Sequence, residues 1–432
     1  MTTGFFAILA VFTVLALLET PIFVLIAGIS VVCLYAVDHD PLALQTVLIE
    51  MNRLASMPVL VALPLFTFVG ALLTATEAPR RIMAFMQALF GWMPGGLAVA
   101  ALISCALFTA LTGASGVTIV ALGGVLYPVL RKYRHPKRFS LGLLTTSGSL
   151  GLLFPPSLPI ILYGVVAQVD IADLFLAALV PGILLVAVIS SYAVLHETSR
   201  RRSGAETASR DPFSGRRLLK AARAAAWDLP VIGITLVGVY GGYVTIAEVS
   251  ALVLVYAVVV ECFVLREVRF FRQLPAIVVE SCLLSGAIIV ILGFSLGFTG
   301  YLVDQQIPSR ILELMTGWTD NRWVFLAGLN GFLLLVGCFM DVFSAIVIIV
   351  PIIVPIALTY GIDPFHLGVI FLINLEIGYS TPPIGMNLFI ASMKFRQPVT
   401  QLYRASLPYL VWMLVVLVLV TYVPAISLLA LR

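Results

Sequence analysis

Long apolar stretches alternate with short polar turns along nearly the whole chain. The stretches at 56–76, 172–195, 275–300 and 405–430 are mostly apolar, and about 20 such residues suffice for a helix to cross the ~30 Å hydrocarbon core of a membrane. Because their apolar residues are continuous rather than alternating, a transmembrane β-barrel is excluded. The pattern predicts an all-α polytopic membrane protein embedded in the lipid bilayer, and we interpret the N-terminal segment MTTGFFAILA as its first span because it lacks the basic residues of a cleavable signal.

Composition narrows the possible function classes. Only 11% of the 432 residues are charged and 61% are hydrophobic, whereas a soluble domain carries about 25% charged residues. The chain has no HExxH motif and no GxxxxGK[ST] motif, and its four histidines are too dispersed for a metal site. A net charge of +4 does not imply a nucleic-acid partner. We therefore predict a protein that is not an enzyme and binds no nucleic acid.

The basic residues predict the topology, because lysine and arginine near the ends of spans stay in the cytoplasm. They concentrate in five turns, which are Arg80–Arg81, 131–138, 197–223, 266–272 and 394–404. The acidic or neutral turns at 37–50, 301–322 and 359–366 are expected outside. The polar segment 196–228 is predicted to be a cytoplasmic linker, in which residues 216–227 could form an amphipathic interfacial helix.

Prolines reveal an internal repeat. Adding 227 to the numbers of four prolines gives four other prolines: Pro128, Pro155, Pro156 and Pro181 become Pro355, Pro382, Pro383 and Pro408. Since 131–138 is basic and its counterpart 359–366 is not, the two halves are expected to be inverted. Inverted repeats with broken helices are typical of secondary transporters. We predict a first repeat at 1–195 and a second at 229–432.

Each half contains two segments that interrupt the helical pattern at membrane depth. In the first half, small residues in FTALTGASGVTIVALGG (108–124) predict a re-entrant hairpin over about 95–131. Pro155 and Pro156 then predict a broken helix over about 140–167. In the second half, the equivalent hairpin is expected over about 323–357, and Pro382 and Pro383 predict a broken helix over about 367–393.

Unwound backbone at these breaks could bind ions. Its free carbonyl groups cannot remain bare in lipid, and carbonyl, hydroxyl and carboxylate oxygens are the ligands of hard cations. The amino-terminal ends of half-helices attract an anionic substrate. Alternatively, the Ser and Thr hydroxyls bond their own backbone, and the glycines only permit close packing.

Two carboxylates lie deep in the second-half breaks, and neither has a lysine or arginine close in sequence. An unpaired charge at mid-membrane is costly, so each is a functional candidate. Asp341 is expected at the tip of the hairpin, facing a cavity. Glu376 has either a functional role or a structural one, as a protonated or hydrogen-bonded residue.

Six sequence segments resemble the large membrane subunit of tripartite ATP-independent periplasmic (TRAP) transporters, within the ion transporter superfamily. They are ETPIFVLIAG (19–28), LPLFTFVGALL (63–73), TGASGVTIVALGG (112–124), GSLGLLFPPSLPIILYG (148–164), MDVFSAIVIIVPI (340–352) and GYSTPPIGMNLFI (378–390). The resemblance covers nearly the whole chain, and it implies an elevator-type transporter in a bacterial inner membrane.

The resemblance also implies sodium and substrate sites. One Na⁺ site would lie between the first hairpin turn and the first break, at Gly113, Ser115, Ser149 and Gly151. A second Na⁺ site would lie between the second hairpin turn, with Gly337, and the second break, with Gly378 and Thr381. The substrate would lie between them, in contact with Ser115, Ser157 and Asp341.

The implied partners are a periplasmic solute-binding protein and a small four-span membrane subunit. Because the chain begins directly with the first repeat, we expect that subunit to be a separate polypeptide. The predicted function is sodium-driven uptake of a small anionic or zwitterionic solute. A stand-alone Na⁺- or H⁺-coupled carboxylate symporter or antiporter of the same superfamily is the alternative. A third possibility, from a different functional class, is an intramembrane enzyme or a channel. Solute movement without Na⁺ dependence, or passive ion conduction, would favour this class.

Overall fold

A computed structural model describes residues 24–25, 27–32, 45–202, 213–306 and 321–431. Every regular element within these ranges is helical, which confirms the all-α prediction. Six of the described helices are long and apolar enough to cross a membrane, and the number rises to nine if each strongly bent helix pair counts as one span. The predicted N-terminal span at residues 1–10 and most of the predicted outer turn at 301–322 lie outside the described residues.

Eight of the described α-helices, all outside the hairpins and broken helices, range from 11 to 32 residues in length. Leu274–Asp304 carries exposed apolar side chains, among them Leu283 at 71% exposure, which are typical of a helix that faces lipid. The helices of this group are Gln45–Ala55, Ala62–Thr74, Ala78–Phe90, Ile171–Arg202, Gly215–Ala225, Leu229–Tyr240, Ile246–Val259 and Leu274–Asp304.

The first hairpin consists of helices Gly96–Thr112 and Ser115–Lys132. Gly113 ends the first helix with φ +67°, and its N–H donates to the Thr109 carbonyl over 2.7 Å. This left-handed conformation suits glycine at a helix end. Ala114 is extended, so two residues suffice to reverse the chain.

The second hairpin consists of helices Arg322–Phe339 and Val342–Thr359. Met340 and Asp341 form the turn between them, and both have extended backbone. This turn uses no glycine. Gly337, which the sequence places at the turn, instead lies in the last turn of the helix before it.

Both double prolines fall in non-helical backbone. The first broken helix comprises Lys137–Ser147, a 3₁₀ turn at Leu150–Leu153 and the helix Leu158–Ala167, which departs by 45°. The second comprises Pro364–Gly378 and Met386–Phe395. Because proline lacks an N–H and clashes with the preceding turn, neither pair could lie inside a continuous helix. We call the non-helical segments 154–157 and 379–385 the first and second break. The chain ends with Val399–Tyr422 and the short helix Ala425–Leu428.

Helix boundaries repeat at the spacing of the prolines. Adding 227 to the residues at which first-half helices end or begin gives the matching residues of the second half. Thr112, Ser115, Lys132 and Lys137 become Phe339, Val342, Thr359 and Pro364. The two hairpins and the two broken helices are therefore built on one plan.

The segment predicted as a linker is partly helical. Helix Ile171–Arg202 continues past the predicted boundary at residue 195, and helix Gly215–Ala225 occupies part of the segment beyond it. This second helix packs on Ala78–Phe90 and is bent by 72° from Leu229–Tyr240. It carries the exposed side chains Arg216, Leu219, Lys220 and Arg223.

A buried group of ion pairs fixes the bend. Arg81 donates to Asp228 over 2.6 Å and to Glu261 over 3.2 Å, and it also pairs with Glu267. Asp228 directly precedes Leu229–Tyr240, whereas Arg81 belongs to Ala78–Phe90. Since breaking one partner of a buried pair leaves an uncompensated charge, these contacts hold the elements together.

Candidate functional site

The tip of the first hairpin lies against both sides of the first break. A methyl group placed on Gly113 would lie 2.5 Å from Leu158 Cγ, at the start of the half-helix after the break. On the other side, a methyl group on Gly148 would lie 3.1 Å from the Ser115 carbonyl oxygen. Gly151 packs farther along the hairpin, where its missing side chain leaves room for the Ala106 carbonyl oxygen. At Gly151 the hairpin backbone itself occupies the space of a side chain, whereas Gly113 and Gly148 leave room mainly for the side chains of Leu158 and Ile119.

Buried hydroxyls line this contact. Thr109 Oγ1 lies 2.8 Å from the Gly148 carbonyl oxygen and 2.7 Å from Thr118 Oγ1. Ser149 is fully buried, and its hydroxyl donates to the Thr146 carbonyl over 3.3 Å. A hydroxyl that donates its proton in this way keeps its lone pairs. The side chain could therefore still be a ligand to a cation.

Ser115 joins the two halves of the molecule. Its hydroxyl donates to Asn387 Oδ1 over 2.8 Å, and both side chains are buried. Asn387 belongs to the helix after the second break, and one residue along from Ser115 a methyl group on Gly116 would lie 2.4 Å from Ile390 Cδ1. The first hairpin thus contacts its own break on one side and the helix after the second break on the other.

The second hairpin meets the second break in the same manner. A methyl group on Gly378 would lie 2.5 Å from both Gly337 Cα and its carbonyl carbon. Gly385, with φ +53°, donates its N–H to the Cys338 carbonyl over 3.1 Å. In addition, the Val342 N–H donates to the Tyr379 hydroxyl. Hairpin turn and break therefore form one unit in each half.

Asp341 has partners that the sequence argument did not consider. One carboxylate oxygen accepts from the Ser344 N–H at 2.9 Å, and the other accepts from the Ser344 hydroxyl at 2.5 Å. Asp341 is therefore the N-cap of Val342–Thr359, and the positive end of that helix compensates its charge. The side chain is only partly buried, so its outer face remains available to a ligand.

Several buried polar atoms near the breaks have no hydrogen-bond partner among the described residues. They are Ser157 Oγ in the first break, Ser380 Oγ in the second break, Asn387 Nδ2 and both carboxylate oxygens of Glu376. Ser157, Ser380 and Glu376 are fully buried. A buried polar group without a partner is destabilising. These atoms mark where a ligand, an ion or a proton would be stabilised.

Most of the predicted site residues lie close to other predicted site residues of the same half of the chain. Gly113 and Ser115 contact the first broken helix, and Gly337 contacts Gly378. Thr381, in the second break, differs because its hydroxyl donates over 2.8 Å to the Ile377 carbonyl in the last turn of the helix before the break. As with Ser149, only its lone pairs remain for a cation.

Sequence reasoning missed Asn387, Tyr379 and Thr109, which all bond across the hairpin contacts. Asn387 gave a usable signal, because an amide directly after a break in an apolar run needs a buried partner. Tyr379 and Thr109 gave none, since their partners are backbone groups distant in sequence.

The ligand chemistry of these contacts suits a hard cation better than a transition metal. No group of three or more His, Cys, Asp or Glu side chains suited to a metal ion occurs in the described parts of the chain. What the hairpin contacts do present are hydroxyl and backbone carbonyl oxygens, which are ligands of hard cations.

Several known proteins are similar in sequence to this chain over most of its length. The family described as "Tripartite ATP-independent periplasmic transporter, DctM component" matches residues 9–426. The C4-dicarboxylate TRAP transporter large permease protein DctM of Pseudomonas aeruginosa is 36% identical over 90% of both chains. The isethionate TRAP transporter permease protein DctMQ of Oleidesulfovibrio alaskensis is 35% identical over 88% of this chain and 59% of its own length. The ectoine TRAP transporter large permease protein TeaC of Halomonas elongata is 28% identical over 96% of both chains.

Two solved transporters share the fold. The Alcanivorax borkumensis YdaH transporter superposes with a TM-score of 0.65 at 15% identity, over 95% of this chain and 98% of its own. Neisseria gonorrhoeae MtrF superposes with a TM-score of 0.55 at 13% identity, over 88% of this chain and 83% of its own. At such low sequence identities, the structural similarity shows a shared fold and does not show a shared function. The resemblance seen in the sequence is confirmed: this multi-pass inner-membrane protein belongs to the DctM, or large permease, family of tripartite ATP-independent periplasmic transporters.

Proposed function

We propose that this permease carries a small anionic or zwitterionic solute into the cell, driven by the sodium gradient. The observation that carries the proposal is the contact of each hairpin with a broken helix, made in the first half by Gly113 of the turn with Leu158 and in the second half by Gly337 of the first hairpin helix with Gly378. These contacts bury hydroxyl and carbonyl oxygens beside the breaks, and such oxygens are ligands of a hard cation.

The two proposed Na⁺ sites follow the two halves. In the first, Gly113, Ser115, Ser149 and Gly151 would supply hydroxyl and carbonyl oxygens. In the second, the oxygens would come from Gly337, Gly378 and Thr381. Support comes from the hydroxyls of Ser115, Ser149 and Thr381, which each donate to a protein acceptor and so keep their lone pairs.

The proposed substrate site lies between these ion sites. Ser157 precedes the half-helix Leu158–Ala167, and its buried hydroxyl has no partner among the described residues. Ser115 begins the second helix of the first hairpin, so two helix amino-terminal ends are available to an anion. Asp341 would contact a hydrogen-bond donor of the solute. The relatives named for C4-dicarboxylates, isethionate and ectoine support an anionic or zwitterionic substrate.

We further propose an elevator movement. The hairpins and broken helices would move as one transport domain, because their contacts join both halves through Ser115 and Asn387. The long, lipid-exposed helices such as Leu274–Asp304 would form the fixed scaffold. The inverted arrangement of the repeats is part of this proposal.

Two partners complete the proposed transporter, namely a periplasmic solute-binding protein and a separate small four-span membrane subunit. The family is described as tripartite and periplasmic. The Oleidesulfovibrio relative, of which this chain matches only 59%, is named as a DctMQ permease.

Reconstitution tests the partner requirement. The permease is placed in liposomes with a Na⁺ gradient, alone, with the small subunit, and with both partners. The proposal predicts uptake of the solute only when both partners are present. Equal uptake by the permease alone would instead support a stand-alone Na⁺- or H⁺-coupled symporter or antiporter.

A further inference from the structure

Helix Gly215–Ala225 packs on the protein with one of its faces. The less exposed residues of the helix recur at helical spacing, and they are Leu218, Ala221, Ala222 and Ala225. Ala225 is fully buried, and the helix packs on Ala78–Phe90. Just beyond its end, the contact of Arg81 with Asp228 at 2.6 Å joins the same two segments again. The helix is therefore held against the protein rather than loosely attached.

The opposite face of this helix is strongly basic. Arg216, Lys220 and Arg223 follow one another at intervals of four and three residues, so their side chains lie in one stripe. We call these three residues the basic stripe. All three are exposed, and together with Leu219 they line one open concave surface. None of them has an ion-pair partner among the described residues. Since residues 215–227 contain no aspartate or glutamate, the segment itself leaves the stripe uncompensated.

Exposed apolar side chains accompany the basic stripe. Leu219 within the helix is 70% exposed, Phe213 before the helix 58%, and Trp227 after it 45%. Tryptophan and basic residues together are typical of segments that lie between the headgroups and the acyl chains of a membrane. A soluble anion would gain nothing from these apolar side chains. A phospholipid offers both an anionic phosphate and acyl chains, so it matches the whole surface.

The bend after the helix places this surface at the edge of the membrane. Gly215–Ala225 is bent by 72° from the apolar helix Leu229–Tyr240. Four of its 11 residues are basic, and charged side chains are costly in the hydrocarbon core. The helix therefore runs along the membrane surface, beside the point at which the next helix enters the membrane.

We propose that the basic stripe binds acidic phospholipids of the cytoplasmic leaflet. Arg216, Lys220 and Arg223 donate hydrogen bonds to the phosphate oxygens, while Leu219 and Trp227 contact the acyl chains. Each lysine or arginine near an anionic membrane surface strengthens binding about fivefold. The lipid thereby anchors the packed helix pair at the membrane surface. This binding involves neither the solute nor the coupling ion, so it does not depend on the proposed function.

Fluorescence of Trp227 tests lipid binding without any transport. The full-length permease carries Trp227 as its only tryptophan, with the other four replaced by phenylalanine, and it is reconstituted in phosphatidylcholine. Phosphatidylglycerol with brominated acyl chains, which quench a tryptophan that they contact, is added in increasing proportion. We expect quenching at lower proportions than with brominated phosphatidylcholine in the same bilayers. The triple variant R216Q/K220Q/R223Q should lower this preference for phosphatidylglycerol at least about tenfold.

Two controls separate this site from general effects of charge and insertion. The triple variant K394Q/R396Q/R404Q also removes two arginines and one lysine, all exposed, from another basic turn, and it should keep the preference. A permease with Trp412 alone, 38% exposed in the spanning helix Val399–Tyr422, should be quenched equally by both lipids, which shows that each variant is inserted.

Four results would overturn the proposal. They are absence of quenching at Trp227 by either lipid, an unchanged preference in R216Q/K220Q/R223Q, an equal loss of preference in K394Q/R396Q/R404Q, and relief of the quenching by inorganic phosphate, which would indicate a site for a free anion. L219Q keeps every charge and removes an apolar contact, so it should reduce quenching by phosphatidylglycerol. Unreduced quenching in L219Q would likewise count against a lipid at this surface.

Discussion

Asp341 combines two roles that one pair of substitutions can separate. As an N-cap it accepts from the Ser344 N–H and hydroxyl, and asparagine caps a helix about as well as aspartate. The free energy of unfolding of D341N should therefore lie within about 0.5 kcal/mol of the wild-type value. In D341A, the free energy of unfolding should fall by about 1 kcal/mol. If the charge contacts the solute, D341N should nevertheless lose most uptake.

Thermal unfolding and uptake of the two variants provide the measurement. Wild-type uptake by D341N would show that Asp341 only caps its helix. The sequence argument considered only lysine and arginine close in sequence as partners of this carboxylate. It overlooked the amino-terminal end of the helix that begins at the next residue, Val342, because local capping depends on where the helix begins.

The contact between Gly337 and Gly378 makes a second prediction. A methyl group on Gly378 would lie 2.5 Å from two backbone atoms of Gly337, and backbone cannot move aside as a side chain can. G378A should destabilise the protein by about 1–3 kcal/mol and reduce uptake.

The matched control is G331A, on the hairpin helix that carries Gly337. Nothing lies within 4 Å of the added methyl group, so its stability should change by less than about 1 kcal/mol. Unfolding midpoints of the two variants measure the difference. Equal midpoints would show that the second hairpin does not pack on the second broken helix as described.

At the scale of elements, the hydrogen bond from Ser115 to Asn387 links the first hairpin to the helix after the second break. A buried hydrogen bond contributes about 1 kcal/mol, and residues in contact show non-additive effects. We expect S115A and N387A to be coupled by roughly that amount in a double-mutant cycle. Additive effects on the unfolding midpoint would mean that the two elements are independent.

The cytoplasmic position of the basic segment between the halves is a separate prediction. In a background without native cysteines, S203C should react with a membrane-impermeant thiol reagent only after the cells are opened. Helix Gly215–Ala225 supports this orientation, since its exposed arginines and Lys220 match the basic character of cytoplasmic turns. Labelling from the periplasm in intact cells would show that the actual topology is the reverse of the predicted one.

The sequence predicted elements better than contacts. Proline pairs and small residues identify interruptions because they act on the local backbone, so both hairpins and both breaks were found within a few residues. Asp341 lies at the tip of the second hairpin as the sequence predicted, whereas Gly337, which the family resemblance places in the turn, lies in the helix before it. The helix Gly215–Ala225 was only an alternative, because its packing on Ala78–Phe90 and the buried pair of Arg81 with Asp228 join distant segments.

At the scale of the whole molecule, the two halves share one plan, and each hairpin contacts a broken helix. The sequence predicted this repeat from a constant proline spacing. It could not predict that Ser115 bonds across the halves, because such a contact depends on how the repeats are arranged in space. That cross-contact joins the first hairpin to the helix after the second break.

Sodium dependence tests the central claim most directly. The permease, its small subunit and its binding protein are reconstituted in liposomes, and solute uptake is followed with an inward Na⁺ gradient and with choline replacing Na⁺ at constant pH. The account predicts uptake with Na⁺, its loss with choline, and its collapse when the Na⁺ gradient is dissipated. Equal uptake in Na⁺ and in choline would contradict it.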